Sequence, residues 1–173
     1  IAIADPRFGT TGSHFAILMQ TKGEAWYRKF CQSMSEQSRQ FASNGATRDR
    51  VLSGDVLLAW TDTDDVEVVR RQGKSIAAID LSQEGAILIP NTLSLVKGAP
   101  NSANAKKLID FLLSEKIEEL LAKSPSGQIP LRSSVPVPAG GRRLQDMKLR
   151  QIDYEKAATL LKSALTIYDE TSR

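Results

Sequence analysis

The side chains able to do chemistry gather in two short stretches, Gly9-Thr10-Thr11-Gly12-Ser13-His14 and Thr61-Asp62-Thr63-Asp64-Asp65. The first follows the apolar run at 1–4 and leads into Phe15-Ala16-Ile17-Leu18-Met19, an order that predicts strand, turn and helix start. Pro6 and Gly9 break the strand, and the small residues Thr11, Gly12 and Ser13 leave backbone N–H groups and hydroxyls unobstructed in the first helical turn. Such N–H groups at the positive end of a helix dipole suit an anion, although the same residues also serve an ordinary capped turn. The second stretch supplies carboxylates, which accept hydrogen bonds when ionised and are hard oxygen ligands for a cation. Aspartates there would equally cap the helix that follows.

The rest of the composition narrows the classes. The chain has 173 residues, 41% apolar and 25% charged, with a formal charge of +3, as expected of a globular protein. Lysines and arginines alternate with acids, so a nucleic-acid stripe is not expected, and the locally basic Arg142, Arg143, Lys148 and Arg150 read as solvated surface. No apolar run is long enough to span a bilayer. The single cysteine, Cys31, rules out an internal disulfide and a cysteine-based zinc cage, and it reads as a buried bystander on the apolar side of a helix. The one histidine, His14, would have to serve any nucleophilic triad, which weakens hydrolase readings. No signal peptide is visible and the chain opens directly on a strand, so it reads as a piece of a longer protein.

Positioning these residues requires strands that end at them. Spacing predicts a helix over 23–42 with Trp26, Phe30 and Met34 on its apolar stripe, flanked by Cys31 and Phe41. A turn at Ser43-Asn44-Gly45 follows, with Gly45 at positive φ, then a short helix over 46–53 stopped by Gly54. The apolar run 56–60 predicts a strand buried on both faces of a mostly parallel sheet. A helix over 66–72 closed by Gly73 and strands at 76–79, 86–89 and 93–96 come next. Ser102 is the expected N-cap of a helix carrying Leu108, Phe111 and Leu112, with a second helix over 115–123. Residues 124–141 are proline- and glycine-rich and irregular, and 154–168 form a last amphipathic helix. Alternating strands and helices argue for an open α/β sheet, in which ligands bind at the carboxyl ends of strands. Both polar stretches lie at such ends.

Taken in order, Ile3-Ala4-Asp5-Pro6…Gly9-Thr10-Thr11-Gly12, Ser43-Asn44-Gly45, Ser53-Gly54-Asp55-Val56 and Thr61-Asp62-Thr63-Asp64-Asp65 resemble the ferric-ion class of ABC-transporter substrate-binding proteins. So do Leu88-Ile89-Pro90-Asn91, Lys97-Gly98-Ala99-Pro100 and the run from Ala105 to Ser114. The resemblance implies a type 2 periplasmic-binding fold, a two-lobed α/β architecture with an open sheet and flanking helices, represented here mostly by its second lobe. Residues 1–79 would be the core of that lobe, 80–125 would return to the first lobe, and 126–173 would form the C-terminal crossing and helices. It further implies an extracytoplasmic or periplasmic location, a membrane permease as partner and no enzymatic role.

The family holds an anion that helps to coordinate iron. Matched motif by motif, that role falls on Thr10, Thr11, Gly12, Ser13, Asn44 and Asp62, although an asparagine is more usual at the Asp62 position. Its iron-binding pair of adjacent tyrosines is replaced here by Thr63-Asp64-Asp65. Two expectations follow from the resemblance. Either Asp64 and Asp65 replace the tyrosines as ligands to Fe(III) with a bound anion, or the site holds a small phosphonate or phosphate solute whose cationic amine pairs with a carboxylate. His14 could approach the ligand or make a structural hydrogen bond, Trp60 would be core or cleft wall, and Arg7 could add charge beside the anion turn. Two other classes stand beside the receptor: an α/β enzyme using Asp62 or Asp64, and a regulatory domain, for which the chain lacks a helix-turn-helix segment.

Overall fold

The computed structural model describes residues 1–79 and 84–172. They form two compact units, one of Ile1–Ile89 with Leu149–Arg173 and the other Pro90–Lys148. The lobe boundary expected at residue 80 lies outside the described residues.

In the first unit, strand β1 (Ala2–Ala4) is buried along its whole length and pairs in parallel with β2 (Arg39–Phe41), Ile3 standing opposite Gln40. On its other edge Ala2 forms a parallel bridge with Ala59, its N–H donating to the Leu58 carbonyl and its carbonyl accepting from Trp60 N–H, both at 2.8 Å. β1 is therefore the central strand. Helix α1 (Gly9–Lys22) starts through Gly9 at a φ of +65°, a turn that suits glycine. Its Phe15, Ala16, Ile17, Leu18 and Met19 are all buried, because α1 packs among β1, helix α2 (Glu24–Gln37) and the last helix, α7 (Tyr154–Thr171). The core is aromatic at its centre. Phe15 meets Phe30, Tyr168, Tyr27 and Trp60 edge-on at ring distances of 5.4 to 6.2 Å, and the buried Tyr27 hydroxyl donates to the Ala164 carbonyl at 3.1 Å.

Helices α3 (Asn44–Leu52) and α4 (Thr63–Arg71) complete this unit. Ser43 caps α3, its hydroxyl accepting from Ala46 N–H at 3.2 Å, and Asp153 caps α7, accepting from Lys156 N–H at 2.9 Å. In the second unit α5 (Ser102–Leu112) precedes α6 (Glu115–Lys123). The Glu118 carboxylate ties α6 to the following loop, accepting from Arg132 N–H at 3.0 Å and from its guanidinium at 2.6 Å.

Several expectations are corrected. The helix over 23–42 ends at Gln37, because Ser38 turns extended with its N–H on the Met34 carbonyl at 2.9 Å, and Arg39–Phe41 then joins β1 as a strand. Its buried stripe is Tyr27, Cys31 and Met34, while Trp26 is 42% exposed and stacks on Phe30. Gly45 lies inside the first turn of α3 and not at positive φ, since Ser43 begins that helix earlier than the turn signal suggests. The run 56–60 is not buried on both faces: it touches the sheet through the Ala59 bridge alone, and Leu57 is 92% exposed. The expected strands at 76–79, 86–89 and 93–96 are irregular, Ala86 making one bridge to Leu149, because among the described residues these runs find no sheet edge to extend. α4 begins at Thr63, not Val66, and α5 is preceded by Asn101 as N-cap residue, with Ser102 already helical.

Candidate functional site

Parallel β1 and the Ala59 bridge aim the ends of two chain segments at the same place, and α3 starts beside them. Thr10 and Thr11 come from the first turn of α1, Asn44 from the first residue of α3, and Asp62 from the N-cap position of α4. The Asp62 side chain does not cap its own helix. Its Oδ2 accepts from the Thr10 hydroxyl at 2.7 Å and from the Asn44 amide at 2.7 Å. The same amide nitrogen reaches Thr10 Oγ1 at 2.9 Å, and the Thr11 hydroxyl donates to Asn44 Oδ1 at 3.3 Å. Thr10, Thr11, Asn44 and Asp62 are thus brought together. Gly12 and Ser13 lie in the same first turn, Gly12 buried and Ser13 half-buried. Gly12 has a packing role as well: a Cβ there would lie 2.2 Å from the Pro6 carbonyl oxygen, so only glycine lets α1 approach the end of β1 this closely.

Asp64 and Asp65 stand in the first turn of α4, and one carboxylate oxygen from each of Asp62, Asp64 and Asp65 can be chosen so that all three lie within 4.8 Å of one another. Asp65 is held from two sides, by the Thr61 hydroxyl at 2.9 Å and the Arg48 guanidinium at 3.2 Å. Burial raises the Asp62 carboxyl above the usual range, the neighbouring Asp64 charge adding to it and the Thr10 and Asn44 hydrogen bonds opposing it. Burial likewise raises Asp65, against the Thr61 hydrogen bond and the Arg48 charge. Beneath this layer Trp60 Nε1 donates to His14 Nδ1 at 3.1 Å, and the two rings meet edge-on at 4.5 Å. Burial, with the charge of Arg150, lowers His14 to about 4, so the imidazole is neutral at pH 7. Arg7 does not face the anion turn with a spare charge: its guanidinium is bidentate on Asp5, at 2.8 and 2.7 Å, and holds that carboxyl below its usual range.

Sequence reasoning missed Thr47 and Arg48. The buried Thr47 hydroxyl donates to the Asn44 carbonyl at 2.7 Å and reaches the Trp60 carbonyl at 3.3 Å, joining α3 to the segment that carries Asp62. Their spacing of three and four residues from Asn44 on a helix was the available signal. None of the three tyrosines reaches the aspartates: Tyr27 and Tyr168 are buried in the core, and the Tyr154 hydroxyl donates to the Leu88 carbonyl at 2.7 Å.

A helix N-terminus carrying hydroxyls is thus set against carboxylates at adjoining segment ends of the parallel unit. The chain belongs to the family of bacterial extracellular solute-binding proteins, which its residues 1–158 match. It is 43% identical over 58 residues to proteins of Salmonella typhimurium and Salmonella typhi that carry the provisional name 2-aminoethylphosphonate-binding periplasmic protein. That match spans 34% of this chain and 17% of theirs. A solved structure of a Bordetella ferric binding protein superposes on 98% of the chain with a TM-score of 0.63 at 17% identity, and the chain covers 58% of that structure. This likeness shows the type 2 periplasmic-binding fold.

Proposed function

We propose that the chain forms part of an extracytoplasmic receptor of an ABC importer, handing its solute to a membrane permease, and that the solute is a small zwitterion with a phosphonate and an ammonium group, of the 2-aminoethylphosphonate kind. The observation that carries this reading is the placing of Asp62. Its carboxylate turns away from its own helix and lies on Thr10 and Asn44, so a negative pole adjoins the positive N-terminal end of α1. A solute with charges of both signs matches such a pair of poles: its anion would take the Thr10, Thr11, Gly12 and Ser13 turn, and its ammonium the Asp62 and Asp64 carboxylates. The Salmonella relatives' name agrees with this chemistry. In this reading the unit of residues 1–89 and 149–173 supplies one lobe, and the unit of residues 90–148 belongs to the other. Binding needs fixed polar groups and no catalytic one.

Ferric iron with a bound anion is the second reading, favoured by the three hard carboxylates that can converge within 4.8 Å. With no tyrosine at the site, Asp62, Asp64 and Asp65 would be its ligands. Titration calorimetry of the chain separates the two. 2-Aminoethylphosphonate should bind, while ethylphosphonate and ethanolamine, each lacking one pole, should bind about tenfold or more weakly. Stoichiometric uptake of Fe(III) from ferric citrate, with no heat from 2-aminoethylphosphonate, would replace the first reading by the second.

A further inference from the structure

His14 and Trp60 are left over by the solute reading, yet they lie directly behind it. Thr10 and His14 are four residues apart on α1, and therefore share a face. Trp60 and Asp62 are alternate residues of the segment that leaves the Ala59 bridge. The four side chains form two rungs, Thr10 to Asp62 at 2.7 Å and His14 to Trp60 at 3.1 Å. The spacing matches on both rails: four residues of helix rise about 6 Å, and two residues of extended chain advance about 6.6 Å. The rails run in opposite directions, since the earlier residue of the helix meets the later residue of the segment.

The lower rung is also the better anchored one. Trp60 N–H donates to Ala2 of the central strand at 2.8 Å, its carbonyl accepts from Thr47 of α3, and its ring packs edge-on against Phe30 at 5.8 Å. His14 accepts at Nδ1, so as a neutral imidazole it carries its proton on Nε2. Anything that shifts α1 along or away from this segment must break the His14 rung together with the Thr10 rung.

We propose that His14 is a positioning residue for the solute site, the Trp60 to His14 hydrogen bond fixing the register of α1 against the 60–62 segment so that Thr10 meets Asp62. The role assigned to that site rests on the solute reading above; the bond itself does not.

The first test uses the wild-type chain and its two indoles. In proton–nitrogen NMR spectra at pH 7, the Trp60 indole N–H should exchange with solvent about a hundredfold more slowly than that of the half-exposed Trp26. Equal exchange would overturn the proposal without any variant. The second test compares His14→Asn, whose Oδ1 keeps an acceptor near the Nδ1 position, with His14→Phe, which keeps a ring and removes the acceptor. The Asn variant should retain indole protection and bind 2-aminoethylphosphonate within about threefold of wild type, and the Phe variant should lose both, affinity falling about tenfold. Equal behaviour of the two variants would overturn the positioning role, because plain packing would not tell an acceptor from a ring edge. If the wild-type chain binds no 2-aminoethylphosphonate, the solute reading fails by itself. The rung is then judged on the exchange data, where protection kept in the Asn variant and lost in the Phe variant sustains it.

Discussion

Gly12→Ala is the substitution for which sequence and structure predict opposite signs. In a solvated helix interior the change stabilises by about 1 kcal/mol, because alanine loses less backbone entropy on ordering. Here the added Cβ would stand 2.2 Å from the Pro6 carbonyl oxygen, and real Cβ contacts are not found below 3.0 Å. The obstacle cannot swing aside as a side chain would. Pro6 has its φ fixed by its ring, and Asp5 just before it donates its N–H to the Phe41 carbonyl of β2 at 2.9 Å. The remaining escape is outward movement of the α1 N-terminus, which lifts Phe15 from the core and Thr10 from Asp62. Overpacking that shifts backbone costs about 1–3 kcal/mol. After the propensity gain the variant gains no stability and loses up to about 2 kcal/mol, or up to about 8 °C in Tm for a chain of this length. Urea unfolding of the two proteins at pH 7 measures it, and calorimetry with 2-aminoethylphosphonate should show affinity reduced about tenfold. A variant more stable than wild type by about 1 kcal/mol would refute the close approach of α1 to Pro6 and the packing argument built on it.

Acid should destabilise the chain through His14. With its folded value near 4 and an ordinary value of 6.5, the unfolded chain takes up the proton first, so stability is full above about pH 6.5, falls between 6.5 and 4 by about 3 kcal/mol, and levels below. The raised Asp62 and Asp65 carboxyls act in the opposite sense, binding protons more readily when folded, so the His14 contribution is read as the difference between wild type and His14→Asn across that window in denaturant titrations. Tyr27→Phe leaves the buried Ala164 carbonyl without its side-chain donor and should cost about 1–2 kcal/mol by the same assay, with the fold unchanged by circular dichroism. Asp62→Asn keeps the shape of the network and removes its charge. It should weaken 2-aminoethylphosphonate about tenfold and leave ethylphosphonate unchanged or tighter, and equal weakening of both would remove Asp62 from the ammonium subsite.

The helices were legible where sequence carries its own start and stop. α1 begins at the Gly9 turn, α6 spans 115–123, α7 follows its apolar spacing, and Gly54 and Gly73 stop α3 and α4 at the expected places, with φ of 76° and 72°. β2 was not legible, because Arg39-Gln40-Phe41 prolongs a helical pattern and becomes a strand only by pairing with β1. Apolar runs misled in the other direction: the run 56–60 is expected as a strand buried on both faces, yet it makes only the Ala59 bridge and Leu57 is exposed. At the site, residue types at segment ends pointed to the two polar stretches. What no local reading could decide was the orientation of Asp62. Capping its own helix and reaching Thr10, 52 residues away in sequence, are equally available to an aspartate at that position, and the choice is made by where β1 delivers α1.

The first unit takes its residues from two distant parts of the chain, and this has a consequence during synthesis. Tyr27 bonds to Ala164, 137 residues further on. At ordinary ribosomal rates of about 5–20 residues per second, the nascent α1 and α2 wait about 7–30 s for the helix that roofs them. Through that interval Phe15, Tyr27 and Cys31 present an unfinished apolar face to chaperones and proteases. Until α7 has been made, α1 and α2 lack the helix that covers this face.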